Sequence, residues 1–173
     1  FLQVRQHMPD DLTGKIIATV GTQPQGQGHE TTYAQVISHE LGVPMEDVIV
    51  QHSDTQGTPF GYGSYGSRTS SVGMTAAVKA AAKIREKARR YAAHMLEANV
   101  EDIEVDGANY RVKGSPDKVK TIQEIAFAID LGFSLPLDME PYLDETAYHD
   151  TPNCTWPFGT HIAVVEIDHD QPV

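Results

Sequence analysis

Apolar and polar positions divide this chain into short strands and a few amphipathic helices. Residues 1–8 alternate and residues 14–22 run apolar around the turn-rich Pro9-Asp10-Asp11-Leu12-Thr13-Gly14, which predicts two antiparallel strands. From Thr31 to Leu41 the apolar positions Tyr33, Val36, Ile37 and Leu41 recur at helical spacing, and Gly42 followed by Pro44 predicts the stop. Thr32 and Gln35 have the spacing of a capping box. Val48-Ile49-Val50 reads as a short buried strand. Ser53 to Ser71 is a long Gly/Ser/Thr/Tyr stretch with too few aliphatics for a core, and so long a loop in a compact domain is either functional or disordered.

The strongest helical pattern covers about residues 72–97. Ala77, Ala81, Ile84, Ala88, Tyr91 and Met95 form an apolar stripe opposite Lys79, Lys83, Glu86, Arg89 and Arg90. A stripe made mostly of alanine implies a close-packed neighbour. Ile103-Glu104-Val105 and Tyr110-Arg111-Val112 flank Asp106-Gly107-Ala108-Asn109, a hairpin signal. Thr121 and Glu124 form a capping box that opens a helix running to Ile129. Residues 131–157 read as Pro-rich and irregular, and Gly159 to Ile167 as a last strand. The fold class expected is α+β: a two-layer α/β unit with a mixed sheet, a β-β-α-β-α-β core over residues 1–115, then residues 116–173 as a helix, an irregular connection and the start of a following unit.

Composition narrows the possible partners. Lys and Arg total 13 against 24 Asp and Glu, a formal charge of -11 on 173 residues. That balance opposes nonspecific binding to nucleic acid or to anionic membranes, so a phosphate-bearing ligand would need a local site. The single cysteine, Cys154, forms no internal disulfide and no cysteine-based metal cage, which suits a reducing compartment. No apolar run approaches the roughly 20 residues that span a bilayer, and the N-terminus lacks the secretory pattern. The expected location is cytoplasmic. The chain opens on Phe1-Leu2-Gln3-Val4-Arg5, already strand-like, and closes on the turn residues Asp168-His169-Asp170-Gln171-Pro172 after an apolar run. It is therefore expected to be a piece of a longer polypeptide.

Two stretches carry candidate chemistry. Lys15-Ile16-Ile17-Ala18-Thr19-Val20 enters Gln25-Gly26-Gln27-Gly28-His29, and a helical pattern follows with Thr31 in its opening turn. Glycine lets the backbone approach a ligand, and a helix start presents free N–H groups and the positive end of a dipole. Gln25 and Gln27 each offer a donor and an acceptor, suited to a heteroatom-rich ring or a phosphate ester. The alternative is a polar strand-to-helix turn with no ligand. The third glycine of a dinucleotide fingerprint is absent and no Gly-Lys-Ser/Thr follows, so this is neither a Rossmann turn nor a P-loop.

The second stretch is Gly61-Tyr62-Gly63-Ser64-Tyr65-Gly66-Ser67-Arg68-Thr69-Ser70-Ser71, leading into the alanine-rich helix. Arg68 can hold a phosphate bidentately while Ser67, Thr69, Ser70 and the first helical amides complete a cradle. Together the two cradles fit a diphosphate held from two sides; the plain alternative is an N-cap on a flexible loop. His29-Glu30 and His39-Glu40 hint at a zinc-protease helix, but Tyr33 and Val43 stand where its second histidine would fall. His39 and His94 read as surface or core-edge residues. Cys154 reads as structural, and the acidic cluster Asp138, Glu140, Asp144 and Glu145 as a solvated loop.

Thr22-Gln23-Pro24-Gln25-Gly26-Gln27-Gly28-His29-Glu30-Thr31, Tyr62-Gly63-Ser64-Tyr65-Gly66-Ser67-Arg68-Thr69, Asp138-Met139-Glu140-Pro141 and Asn153-Cys154-Thr155-Trp156-Pro157-Phe158-Gly159-Thr160-His161 occur in this order. In that order they resemble the molybdenum-binding large subunit of the xanthine dehydrogenase and aldehyde oxidase superfamily, and within it the aerobic carbon monoxide dehydrogenase large chains. The resemblance covers nearly the whole chain. It implies a molybdenum-bearing molybdopterin cofactor, usually the cytosine dinucleotide form in bacteria. Gln25, Gly26, Gln27, Gly28, His29 and Thr31 would line the pterin and pyrophosphate, and Ser67, Arg68, Thr69 and Ser70 would hold the dinucleotide from the other side.

The resemblance also implies an oxidoreductase that uses water as oxygen source and passes electrons to iron–sulfur and FAD subunits or domains, in a homo- or hetero-oligomer. The family's glutamate base lies in a later Gly-rich segment that these residues do not match, and Glu30 and Glu40 are not in that motif. No catalytic residue and no direct metal ligand is therefore expected here. The competing class is a noncatalytic scaffold or interaction module that keeps the fold without the cofactor. Retention of both Gln-Gly-Gln-Gly and Ser-Arg-Thr argues against it. Carbon monoxide, a purine, an N-heterocycle and an aldehyde all remain open as the small-molecule substrate.

Overall fold

A computed structural model describes residues 2–6, 14–58, 60–132, 135, 136 and 138–167. The elements are strands β1 (Leu2–Gln6) and β2 (Ile16–Val20), helix α1 (His29–Leu41), strand β3 (Val48–Gln51), helix α2 (Thr75–Met95), strands β4 (Ile103–Asp106), β5 (Asn109–Val112) and β6 (Ser115–Thr121), helix α3 (Ile122–Asp130) and strand β7 (Leu143–Ala147). The chain order through β4 is the expected β-β-α-β-α-β, and the α+β class with a mixed sheet is what the molecule adopts.

One sheet has the order β3-β2-β1-β7. β1 lies antiparallel between β2 and β7, with Val4 opposite Ala18 on one side and Glu145 on the other. β3 runs parallel to β2, Ile17 opposite Ile49, and a parallel pair needs a crossover, which α1 supplies. The second sheet is the antiparallel meander β4-β5-β6. α2 packs against β1, β7 and α1 and also reaches β4 and β5, so one helix joins the two sheets.

The alanine stripe explains that position. Ala76, Ala77, Ala80, Ala81 and Ala88 are fully buried, and their short side chains let the α2 backbone come close to the sheet and to α1. Ile16, Ala18, Tyr33, Ile37, Leu41, Ile84, Tyr91 and Tyr110 fill the space around it. α3 adds Ile122, Ile125, Ala126 and Ile129 to the same core. Its start carries the predicted capping box: Glu124 N–H donates to Thr121 Oγ1 at 3.1 Å, and Thr121 N–H donates to Glu124 Oε2 at 2.8 Å. The boundary expected between residues 115 and 116 falls inside β6, and side chains from both sides of it share this core.

Several local expectations are corrected. β3 is an edge strand with Ile49 exposed: among the described residues nothing pairs beyond it in the sheet order. Thr32 does not cap α1; its hydroxyl donates back to the Gly28 carbonyl at 3.1 Å inside the first turn, since the helix begins at His29 and not Thr31. The stretch 131–157 contains β7, whose Leu143 and Ala147 face the core while Asp144, Glu145 and Thr146 hide the strand signal. Gly159 to Ile167 is not a strand. It has no ladder partner among the described residues, and Ile162, Val164, Val165 and Ile167 are exposed. The expected turns at 9–13 and 168–172 lie outside the described residues. No described helix is long and apolar enough to cross a membrane.

Candidate functional site

β2 ends at Val20 and the chain turns through Gly26 (φ 105°) and Gly28 (φ 71°) into α1. Both glycines hold left-handed backbone, and a Cβ on either would project into open space with no atom within 4 Å. They are needed for the turn, and they leave the loop bare on its outer side. Gly28 is the N-cap of α1 and no side chain caps that helix, so its first amides keep free donor capacity.

The second loop reaches the same place from the other side. Gly63 N–H donates to the Gly21 carbonyl at 3.1 Å, which ties the loop to the end of β2. Gly66 (φ 59°) and Ser67 (φ 58°) then make a sharp left-handed turn, rare for serine, that delivers Arg68 to the start of a π-helical turn, Thr69–Met74, running directly into α2. The Arg68 guanidinium lies over the rings of Tyr65 (5.3 Å) and Tyr62 (5.7 Å), which fix its plane without neutralising its charge.

The two loops share one cleft of about 610 Å³. Of the residues expected from sequence, Gln25, Gln27, His29, Ser67, Arg68, Thr69 and Ser70 line it. Gly26 and Gly28, between lining residues in sequence, do not line it themselves, and Thr31 sits exposed in the first turn of α1 without lining it. The lining further includes Ser64, Tyr65 and Ser71, then Thr155, Trp156, Pro157 and Phe158. Ser64 and Tyr65 could have been read from the Gly/Ser/Tyr composition of their loop. Thr155 to Phe158 belong to a motif of the family resemblance but received no site role from it; the folded path brings them back, where Thr155 Oγ1 donates to the Ser67 carbonyl and meets Ser71 Oγ, each at 3.2 Å.

Inside the cleft the polar groups are partly tied to each other. Gln27 Nε2 donates to Gln25 Oε1 at 3.2 Å, Gln25 Nε2 to the Ser64 carbonyl at 3.3 Å, and Thr69 Oγ1 to Ser64 Oγ at 2.9 Å. His29 Nδ1 is buried and has no hydrogen-bond partner among the described residues. A buried nitrogen without a partner costs free energy, and a bound ligand is one way to satisfy it. No carboxylate lines the cleft among the described residues, although the chain is strongly acidic.

Just outside, Glu30 is paired with His52 Nε2 at 2.8 Å, and its carboxyl is held below the usual range first by its own backbone amide and then by His52. A larger hollow of about 760 Å³ lies between the C-terminal end of α2 and α3, lined by Tyr91, His94 and Ile129 among others. Glu97 lines it and, among the described residues, no arginine or lysine does, so the smaller cleft is the better anion site. His39, His94 and Cys154 are exposed. Of the acidic cluster, Glu140 and Glu145 lie 3.6 and 3.8 Å from Lys87 Nζ.

A cleft with one arginine, several hydroxyls, two amides, two helix starts and no acid is fitted to a large anionic, heteroatom-rich ligand. Comparison with known proteins agrees in kind. The molybdopterin cofactor-binding domain family matches residues 8–171. The chain is 47% identical over 161 residues to the carbon monoxide dehydrogenase large chain of Afipia carboxidovorans, covering 93% of this chain and 20% of that protein. The solved carbon monoxide dehydrogenase from Oligotropha carboxidovorans superimposes with a TM-score of 0.80 at 45% identity, over 89% of this chain and 18% of the other. Quinoline 2-oxidoreductase from Pseudomonas putida 86 does so with a TM-score of 0.71 at 35% identity, over 88% and 19%. The chain thus spans about a fifth of the length of these relatives. It belongs to the molybdopterin cofactor-binding domain family, whose members matched here are oxidoreductases of the carbon monoxide dehydrogenase and xanthine dehydrogenase kind.

Proposed function

We propose that this chain is the cofactor-cradling section of a molybdenum hydroxylase similar to carbon monoxide dehydrogenase, and that the cleft between residues 25–29 and 67–71 holds molybdopterin cytosine dinucleotide. The observation that carries the reading is the meeting of two glycine-led helix starts in one acid-free cleft with a partnerless buried His29 nitrogen. Relatives named for carbon monoxide and for quinoline share this section. A section common to enzymes of different substrates holds what they have in common, and that is the cofactor.

In this reading Arg68, steadied by Tyr62 and Tyr65, grips a phosphate oxygen pair, and Ser67, Thr69 and Ser70 add donors on the same side. Gln25 and Gln27 present amide donors and acceptors to the pterin, while Gly26 and Gly28 let backbone N–H groups approach the diphosphate. His29 donates or accepts through Nδ1, and Thr31 stands in the helix turn behind it. The cofactor would supply a two-electron oxidation of a small substrate with water as the oxygen source. The residues of this chain bind and orient it; none is assigned as catalytic base or metal ligand.

The electrons would leave to iron–sulfur and FAD partners within an oligomeric, cytoplasmic enzyme. The test uses the full-length polypeptide with its partners, produced in cells that make the cofactor. Stoichiometric molybdenum and releasable cytidine nucleotide are expected, both greatly reduced by Arg68→Ala. Protein free of both, or an Arg68→Ala variant with unchanged content, would instead favour a scaffold without cofactor.

A further inference from the structure

The two halves of the cleft are joined beneath its floor by one buried phenol. Tyr33 lies one turn beyond His29 on the core face of α1 and is fully buried. Its hydroxyl shares a 2.7 Å hydrogen bond with Thr22 Oγ1, two residues past β2 and at the root of the loop that carries Gln25 to Gly28. The same oxygen stands against Gly73 in the π-helical turn, the turn that begins at Arg68 and Thr69. A Cβ at position 73 would overlap the Tyr33 oxygen, and the next atoms beyond it are Tyr33 Cζ at 3.2 Å and Thr22 Cγ2 at 3.4 Å. Three segments therefore meet at one oxygen, and each of them continues into the cleft: the loop after Thr22, the start of α1, and the turn before α2.

We infer that Tyr33 is a positioning residue whose hydroxyl, held by Thr22 and accommodated by Gly73, sets the spacing between the Gln25–His29 and Arg68–Ser71 halves of the cleft. Tyr33 does not itself line the cleft; it acts through the elements it joins. The π-helical turn is the element whose geometry depends most on what packs against it. An extra residue in a helical turn lacks the regular hydrogen-bond ladder, and such turns persist where surrounding packing holds them. Gly73 is where that packing is tightest. Burial raises the Tyr33 phenol above its ordinary value, while Thr22 and the Arg68 charge oppose the shift, so the phenol stays protonated and within electrostatic reach of the arginine it helps to place.

This inference rests on the cofactor reading of the cleft, and the test separates the two. Full-length polypeptide with its partners is prepared as Gly73→Ala, as Tyr33→Phe, as the double variant and as Arg68→Ala. The rate at which molybdenum and cytidine nucleotide leave the folded, natively circular-dichroic fraction is then measured. Gly73→Ala is expected to speed release by roughly fivefold or more, the range for losing one well-placed charged or buried hydrogen bond. Tyr33→Phe in the same chain removes the overlapping oxygen and leaves 3.2 Å to the ring, so the double variant should release more slowly than Gly73→Ala alone. A role in stability alone would lower the melting temperature of Gly73→Ala while leaving release from its folded fraction unchanged. That outcome, or a double variant no better than Gly73→Ala, overturns the positioning role if Arg68→Ala still loses cofactor. Unchanged release in Arg68→Ala overturns the cofactor reading and this inference with it.

Discussion

Gln25 Nε2 donates to the Ser64 carbonyl at 3.3 Å, a bond between residues 39 apart in sequence that clasps one lip of the cleft to the other. The bond is partly buried, and the Gln25 carbonyl oxygen is engaged at the same time by Gln27. Gln25→Ala removes both contacts but leaves the strands and helices untouched. Cofactor retention is expected to weaken by about 1 kcal/mol, roughly fivefold, with little change in melting temperature. Equilibrium dialysis of released nucleotide against calorimetry of the same preparation checks the pair of outcomes.

Arg68 stacked on Tyr62 and Tyr65 offers a planar fork. Arg68→Lys keeps the positive charge and loses the fork, so it should recover only a minor part of the molybdenum content lost in Arg68→Ala. Equal content in Arg68→Lys and the unsubstituted protein would mean that charge alone matters at this position.

Ala81 is fully buried on the face of α2 that meets the rest of the core. Ala81→Leu adds three carbons where there is no room and should cost about 1–3 kcal/mol of stability. Ala82→Leu, one residue on and exposed, should change stability by less than about 0.5 kcal/mol. Thermal or urea denaturation of the two variants side by side tests the claim that close helix approach, and not helix propensity, selected alanine.

Three groups illustrate how ionisation contributes to stability at the two ends of the pH scale. Glu30 and Glu124 are held below the ordinary 4.5, Glu30 first by its own backbone amide and Glu124 first by the Thr121 amide. Carboxyls lowered in the folded state contribute stability that is present above 4.5 and lost as pH falls through their lowered values. An acid titration should therefore show stability dropping below that point, less steeply in Glu124→Gln. At the other end, burial pushes the Tyr110 phenol up to about 12. Its contribution is complete below the ordinary 10.0 and is lost as pH rises toward 12.

The Tyr110 hydroxyl is buried without a hydrogen-bond partner among the described residues. Tyr110→Phe should thus be neutral or stabilising by about 1 kcal/mol, and it should reduce the alkaline loss, to which the Tyr33 and Tyr91 phenols, raised first by burial, still contribute. Ultraviolet difference titration, in which ionising tyrosines absorb, reads the alkaline effect, and thermal denaturation of the same variant reads the change in stability.

Much of the fold was legible because it rests on local rules. The alanine helix, the Gly42 stop of α1, the β4–β5 hairpin and the Thr121–Glu124 cap each declare themselves through periodicity or a side chain bonded to nearby backbone. β6 and β7 were not legible. Ser115-Pro116-Asp117-Lys118-Val119-Lys120-Thr121 and Leu143-Asp144-Glu145-Thr146-Ala147 carry weak alternation, and they are strands because a neighbour offers an open edge. The apolar run 159–167 shows the converse: a strand-like pattern is no strand without a partner ladder among the described residues.

The same division holds at the cleft. Sequence alone determined the two glycine-led helix starts, the residues placed at each and the overall acid balance, because turn chemistry and charge are properties of neighbours along the chain. Only the tertiary structure decided that the two starts face one hollow, that Thr155 to Phe158 return to it, that His29 has a buried nitrogen with no hydrogen-bond partner among the described residues, and that Tyr33 and Gly73 sit at the joint between its halves. Those relations connect residues about 40 to 130 positions apart, and at such separations the contacts depend on how helices and sheet pack and not on any local propensity.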